Sequence, residues 1–192
     1  MKRYLSIVLV LFVVILSSTI ANAATPVSGD KWNKTSLKVY VNDNIKTNYS
    51  TSIYNALSNG VTAYNGTYAP TASVSSSYIY TWDIIVDMSN WGYTGWTGLA
   101  SGGGGGVFTI VQIDVNSYGM SSYYGDSGLW KAIACHEMGH ALGLAHNTSD
   151  TYSIMKPGVN GNSGFYDYSG GGSGLFLTTP QTVDKTAIGN IY

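Results

Sequence analysis

Residues 136–146 read His-Glu-Met-Gly-His-Ala-Leu-Gly-Leu-Ala-His, and no other run constrains the fold of this 192-residue chain as tightly. On an α-helix, residues four apart lie on one face, one turn along. His136 and His140 therefore present two imidazoles that can bind one ion at about 2.0–2.1 Å, the usual zinc–nitrogen distance. Glu137 lies about 100° further round the axis, so it flanks such an ion without ligating it and can polarise a bound water. Gly143 accepts the positive φ that ends a helix and reverses the chain, which brings His146 back as a third ligand. Three protein ligands leave a fourth position open, the feature that separates a catalytic zinc from a closed structural one.

Chance is a poor explanation for the run. The chain has three histidines and one glutamate, and all four fall on motif positions. That excludes sites in which a downstream Glu completes the ligand set, and it leaves no histidine for a second zinc. An Asp third ligand (Asp150, Asp167 or Asp184) is conceivable, although His146 at this spacing makes one unnecessary.

The remaining sequence sets the context. Lys2 and Arg3, an apolar run from Leu5 to Leu16 and the closing Ala21-Asn22-Ala23 form the pattern of a cleaved secretory signal over residues 1–23. The run is shorter than the roughly 20 apolar residues of a bilayer span. Charged residues make up 10% and the net charge is −1, without the basic stripe of a nucleic-acid binder. Cys135 is the only cysteine, so no intrachain disulfide can form, and it reads as a buried thiol. The expected product is a released, extracellular monomer with no stable membrane association, its single domain spanning residues 24–192.

Along that domain, Leu37–Val41 reads as a first strand, followed by a turn at Asn42–Asn44 and a helix from about Ser50 to Tyr64, weakened near its end by Gly60. A strand region runs from Ser73 to Met88 with a break between Ser77 and Asp83. Gly92–Gly106 reads as loop, Val107–Val115 as strand, and Ser127–Leu142 as the helix carrying the motif. A last helix is expected near Pro180, with Thr179 as N-cap and Pro180 in the first turn. Asp114, Asp126 and Asp167 are candidates for a structural calcium.

With Ser153-Ile154-Met155 placing a methionine nine residues after His146, the chain resembles the metzincin peptidases, which share the HExxHxxGxxH helix and a Met-turn. Trp32-Asn33-Lys34, Asp83–Val86, Gly98-Leu99-Ala100 and the stretch from Leu177 through Asp184 to Tyr192 are similar to the small bacterial members of the matrixin group. The resemblance implies an α/β, zincin-like fold of the α+β kind: a twisted, mixed but mostly parallel sheet, about three helices, and the active-site helix below the cleft. It implies one catalytic zinc on His136, His140 and His146, Glu137 as general base, and Gly143 and Met155 as structural support. The implied activity is hydrolysis of peptide bonds in proteins or peptides, with the substrate laid along a strand edge near Gly98–Ala100. Phe165, Tyr166 and Tyr168 fall where such relatives have a pocket wall. Astacin-like and serralysin-like metzincins carry a Tyr two residues after the Met. Pro157 stands there here, so a tyrosine-assisted mechanism is not expected. The alternatives are a secreted zinc-binding adhesion module of the same fold, and hydrolysis of an amide outside proteins.

Overall fold

Leu37, Val39 and Val41 point inward while Ser36 and Lys38 face solvent, the period-2 pattern of a strand half-buried against a core. This strand, β1 (Ser36–Val41), pairs in parallel with β2 (Thr71–Ser75) and β3 (Ile84–Ser89). β3 pairs in parallel with β5 (Val111–Asn116), and β4 (Gly98–Gly102) closes the sheet antiparallel to β5. The order is β2-β1-β3-β5-β4, so β4 is an edge strand. A separate antiparallel pair joins β6 (Tyr166–Asp167) and β7 (Leu175–Phe176). The computed structural model describes residues 28–75, 77, 81–103, 105–149, 152–157, 166–167 and 175–192. Residues 1–23, and most of the Gly- and Tyr-rich stretch 158–174, lie outside the described residues.

Among the described residues four α-helices accompany the sheet, one more than expected, together with a 3₁₀ turn at Ser121–Tyr123. The additional one is α1 (Asn44–Asn48), which grows out of the predicted turn because the Asn42 side chain accepts the Asn44 N–H at 3.0 Å. Helix α2 (Thr51–Val61) starts on Ser50, whose hydroxyl accepts the Ile53 N–H. It stops three residues short of Tyr64, yet Tyr64 still enters the core.

Gly60 stands in the last turn of α2, which ends one residue later at Val61, as expected. A Cβ there would lie 2.6 Å from the Ala134 Cβ and from the Lys131 carbonyl oxygen, so the glycine lets α2 and α3 (Ser127–Ala141) cross backbone to backbone. Two expectations fail for identifiable reasons. The stretch Gly92–Gly106 contains a strand, β4, because ladder pairing to β5 overrides its loop-like composition. The last helix, α4 (Thr182–Ile191), is capped by Gln181 and not by Thr179. Gln181 and Asp184 form a reciprocal capping box, which fixes the start of the helix more strongly than Pro180 does. The expected strand from Val107 likewise begins only at Val111.

Candidate metal and active site

α3 is apolar on nearly all sides and is buried along most of its length, as a helix packed between a sheet and a second helix must be. Its ends are well satisfied. Asp126 accepts the Gly128 and Leu129 N–H groups at 3.0 and 3.1 Å, placing negative charge at the positive pole of the helix. At the other end, Leu144 N–H donates to Gly139 O and Gly143 N–H to His140 O, both at 2.9 Å, a Schellman closure with Gly143 at φ +97°. A Cβ on Gly143 would also overlap the Asp30 carbonyl oxygen. The carbonyls left over are taken by the two ends of the domain: Trp32 Nε1–H donates to Ala141 O at 2.7 Å and the Tyr192 hydroxyl to Leu142 O at 3.1 Å.

This closure brings His146 to the helix. One ring nitrogen from each of His136, His140 and His146 lies within 4.8 Å of the others, and this is the only such cluster among the described residues. The Nε2 atoms of His136 and His146 are 3.2 Å apart. Two ligands on a tetrahedral ion at about 2.0–2.1 Å stand about 3.3–3.4 Å apart, so the spacing suits zinc. Tautomers suit it too. His136 Nδ1–H donates to Ile154 O at 2.7 Å and His140 Nδ1–H to Leu144 O at 2.8 Å, which leaves each Nε2 lone pair available to a metal. Burial, and next the neighbouring His140, push the His136 imidazole down to about 3, against the opposing Ile154 carbonyl. Burial also lowers His140 and His146. Burial thus favours the neutral form of all three rings, the form a metal ligand needs.

Glu137 sits beside this triad, 4% exposed, with its carboxylate against the edge strand. A Cβ on Gly98 would overlap that carboxylate, so the glycine makes the space the side chain occupies. Burial pushes the carboxyl up to about 8, and a backbone hydrogen bond from Ala100 opposes the shift. Both residues line a cleft of about 660 Å³ together with the three histidines, Trp96, Leu99, Phe108 and Pro157.

The floor of the site is the Met-turn. Gly139 has no room for a Cβ because Met155 Sδ and the Tyr64 hydroxyl press on it, and Tyr64 donates to Met155 Sδ at 3.7 Å. Ser153 and Ile154 are held from α4: Asp184 accepts the Ser153 hydroxyl at 2.6 Å and the Ile154 N–H at 3.0 Å. Asp184 is thus a clamp on the turn and not a metal ligand, a role visible in the sequence only as the Gln181…Asp184 capping spacing. Asp126 is committed to the N-cap. Asp114 lies on β5 beside Asp87 and Gln112, and its carboxyl is raised chiefly by burial. Cys135 is buried, as expected.

A family model described as "dual-action HEIGH metallo-peptidase" matches residues 21–191. The chain belongs to this family. The HEIGH metallopeptidase pentapeptide is His136-Glu137-Met138-Gly139-His140 here, with Met138 in place of the isoleucine of the family's name. That position is fully buried, where one apolar side chain of similar volume replaces another at small cost. No curated protein matches the chain. Among solved structures, the "Structure of myroilysin" is similar over 88% of this chain and 98% of that one, at 15% identity and a TM-score of 0.54. That likeness supports the zincin-like, mostly parallel α/β fold. Family, triad and Met-turn together fit a metzincin zinc metallopeptidase. Among the described residues, no helix is long and apolar enough to cross a membrane.

Proposed function

We propose that this HEIGH metallopeptidase is a secreted endopeptidase with one catalytic zinc on His136, His140 and His146 and with Glu137 as general base. A bound zinc ion supplies Lewis acidity, polarising the scissile carbonyl and lowering the pKa of an attacking water towards about 7. The observation that carries the reading is the placement of Glu137: desolvated, next to the triad, and facing the cleft through the gap left by Gly98. Burial raises its proton affinity, which suits a group that takes a proton from water and returns it to a leaving amine. β4 leaves one edge unpaired on the cleft side, so an extended peptide can add to it as a further strand. Secretion rests on the signal pattern of residues 1–23, and the monomeric state is part of the same proposal.

The test is cleavage of an unfolded protein by the wild type, by Glu137→Gln, and after chelation. Chelator-sensitive cleavage that the Gln variant loses, with its zinc retained, is the expected result. Undiminished cleavage by Glu137→Gln would remove the general-base assignment.

A further inference from the structure

The loop that precedes β4 carries three aromatic residues, Trp91, Tyr93 and Trp96. Trp91 is 47% and Tyr93 90% exposed, while Trp96 is half-buried and lines the same cleft as His136 and Glu137. The rings of Trp91 and Trp96 lie 6.5 Å apart, centroid to centroid. Such a cluster on a slack loop would carry little meaning, but this loop is not slack. Asn116, 3% exposed at the end of β5, holds it from beneath. Its Nδ2 donates to the Thr94 hydroxyl at 2.8 Å, to Gly92 O at 3.0 Å and to Trp96 O at 3.3 Å. Its Oδ1 accepts the N–H groups of Trp91 and Tyr118, at 3.1 and 3.0 Å. The backbone adds Asn116 N–H to Thr97 O at 2.9 Å, which ties the loop to the sheet one residue before β4 begins. One buried amide therefore fixes the backbone path of residues 91–97, from which Trp96 meets the cleft.

We infer that Trp96, held by Asn116, forms a subsite that selects a large apolar side chain on the C-terminal side of the scissile bond; this rests on the peptidase reading above. Gly98 and Ala100 both meet Glu137, so the bond to be cut lies over the first residues of β4. A substrate strand on the free edge pairs antiparallel, the slightly more stable arrangement, so its residues C-terminal to the cut run back along the chain towards Trp96. Two residues of strand span about 6–7 Å, so the side chain that meets the indole lies about two positions past the cut. An aromatic surface fixed before binding gains affinity because little side-chain and loop freedom is lost on contact. Asn116 is a positioning residue, since it lies beneath the loop and reaches the substrate only through Trp96.

The test uses zinc-loaded full-length protein and pairs of peptides that differ only at the second residue past the cut, Leu against Ser. The readout is the ratio of the two kcat/KM values. Trp96→Ala should lower the ratio about tenfold, the discrimination typical of a modest apolar pocket. Trp96→Phe should restore most of it, and Asn116→Ala should shift it in the same direction as Trp96→Ala. An unchanged ratio in a folded, cleaving Trp96→Ala overturns the subsite, as does a change confined to residues N-terminal to the cut; either leaves the peptidase reading standing. Absence of chelator-sensitive cleavage by the wild type overturns both.

Discussion

The buried carboxylate of Asp184 accepts the backbone N–H of Ile154 at 3.0 Å, and the carbonyl of that same Ile154 accepts the Nδ1 proton of His136 at 2.7 Å. The start of the last helix is thereby linked to the orientation of a candidate metal ligand through one residue. Asp184 is completely buried and also accepts from the Ser153 hydroxyl and the Gln181 N–H, so its charge is met by three donors.

Asp184→Asn keeps the shape of this side chain but turns an NH₂ towards groups that donate. Leaving buried donors unpaired should cost about 2–4 kcal/mol of stability, read by denaturant unfolding. Zinc stoichiometry should fall with it, because His136 loses its fixed carbonyl partner. Wild-type stability together with full occupancy would show that the clamp does not matter.

Gly98→Ala should act on turnover more than on metal. The added methyl overlaps the Glu137 carboxylate, and displacement of a reacting group by about 1 Å commonly costs about 100-fold. The expected outcome is a kcat/KM lower by that order with zinc still bound at one per chain. Retention of wild-type activity would place the base elsewhere.

Removing the metal should abolish cleavage and lower the melting temperature, because an ion that binds only the folded chain stabilises it by mass action. Re-addition of zinc should reverse both. His146→Ala, which leaves two ligands, should bind well below one zinc per chain; unchanged stoichiometry would refute the three-histidine site.

Gly60→Ala tests the helix crossing. The methyl has no space between α2 and the Ala134–Lys131 segment of α3, so overpacking should cost about 1–3 kcal/mol. A neutral or stabilising effect in thermal unfolding would mean that the two helices can separate freely.

Much of this arrangement was legible in local sequence. The helix with its two histidines, the glycine turn that returns His146 and the buried position of Cys135 are dictated by 3.6-residue periodicity and backbone conformation within a dozen residues. The strands of the sheet interior were legible for a similar reason, since Leu37, Val39 and Val41 or Ile84 and Val86 announce a buried face. Local composition misled at Gly98–Gly102 and at Thr179. In each case a tertiary partner decides: β5 pairs with β4, and Asp184 caps α4 while holding the Met-turn.

By itself the sequence determined that three histidines stand at metal-ligand spacing with the sole glutamate beside them. Spacing along one helix is enough for that, and no other His or Glu exists in the chain to compete. Only the tertiary structure decided how those groups are set to work. Glu137 is desolvated because a strand edge closes over it, His136 is turned by a carbonyl whose residue Asp184 holds, and the loop carrying Trp96 is tied down by Asn116. These relations join residues tens of positions apart, and their physical source is burial and hydrogen bonding across packed elements, which no local pattern encodes.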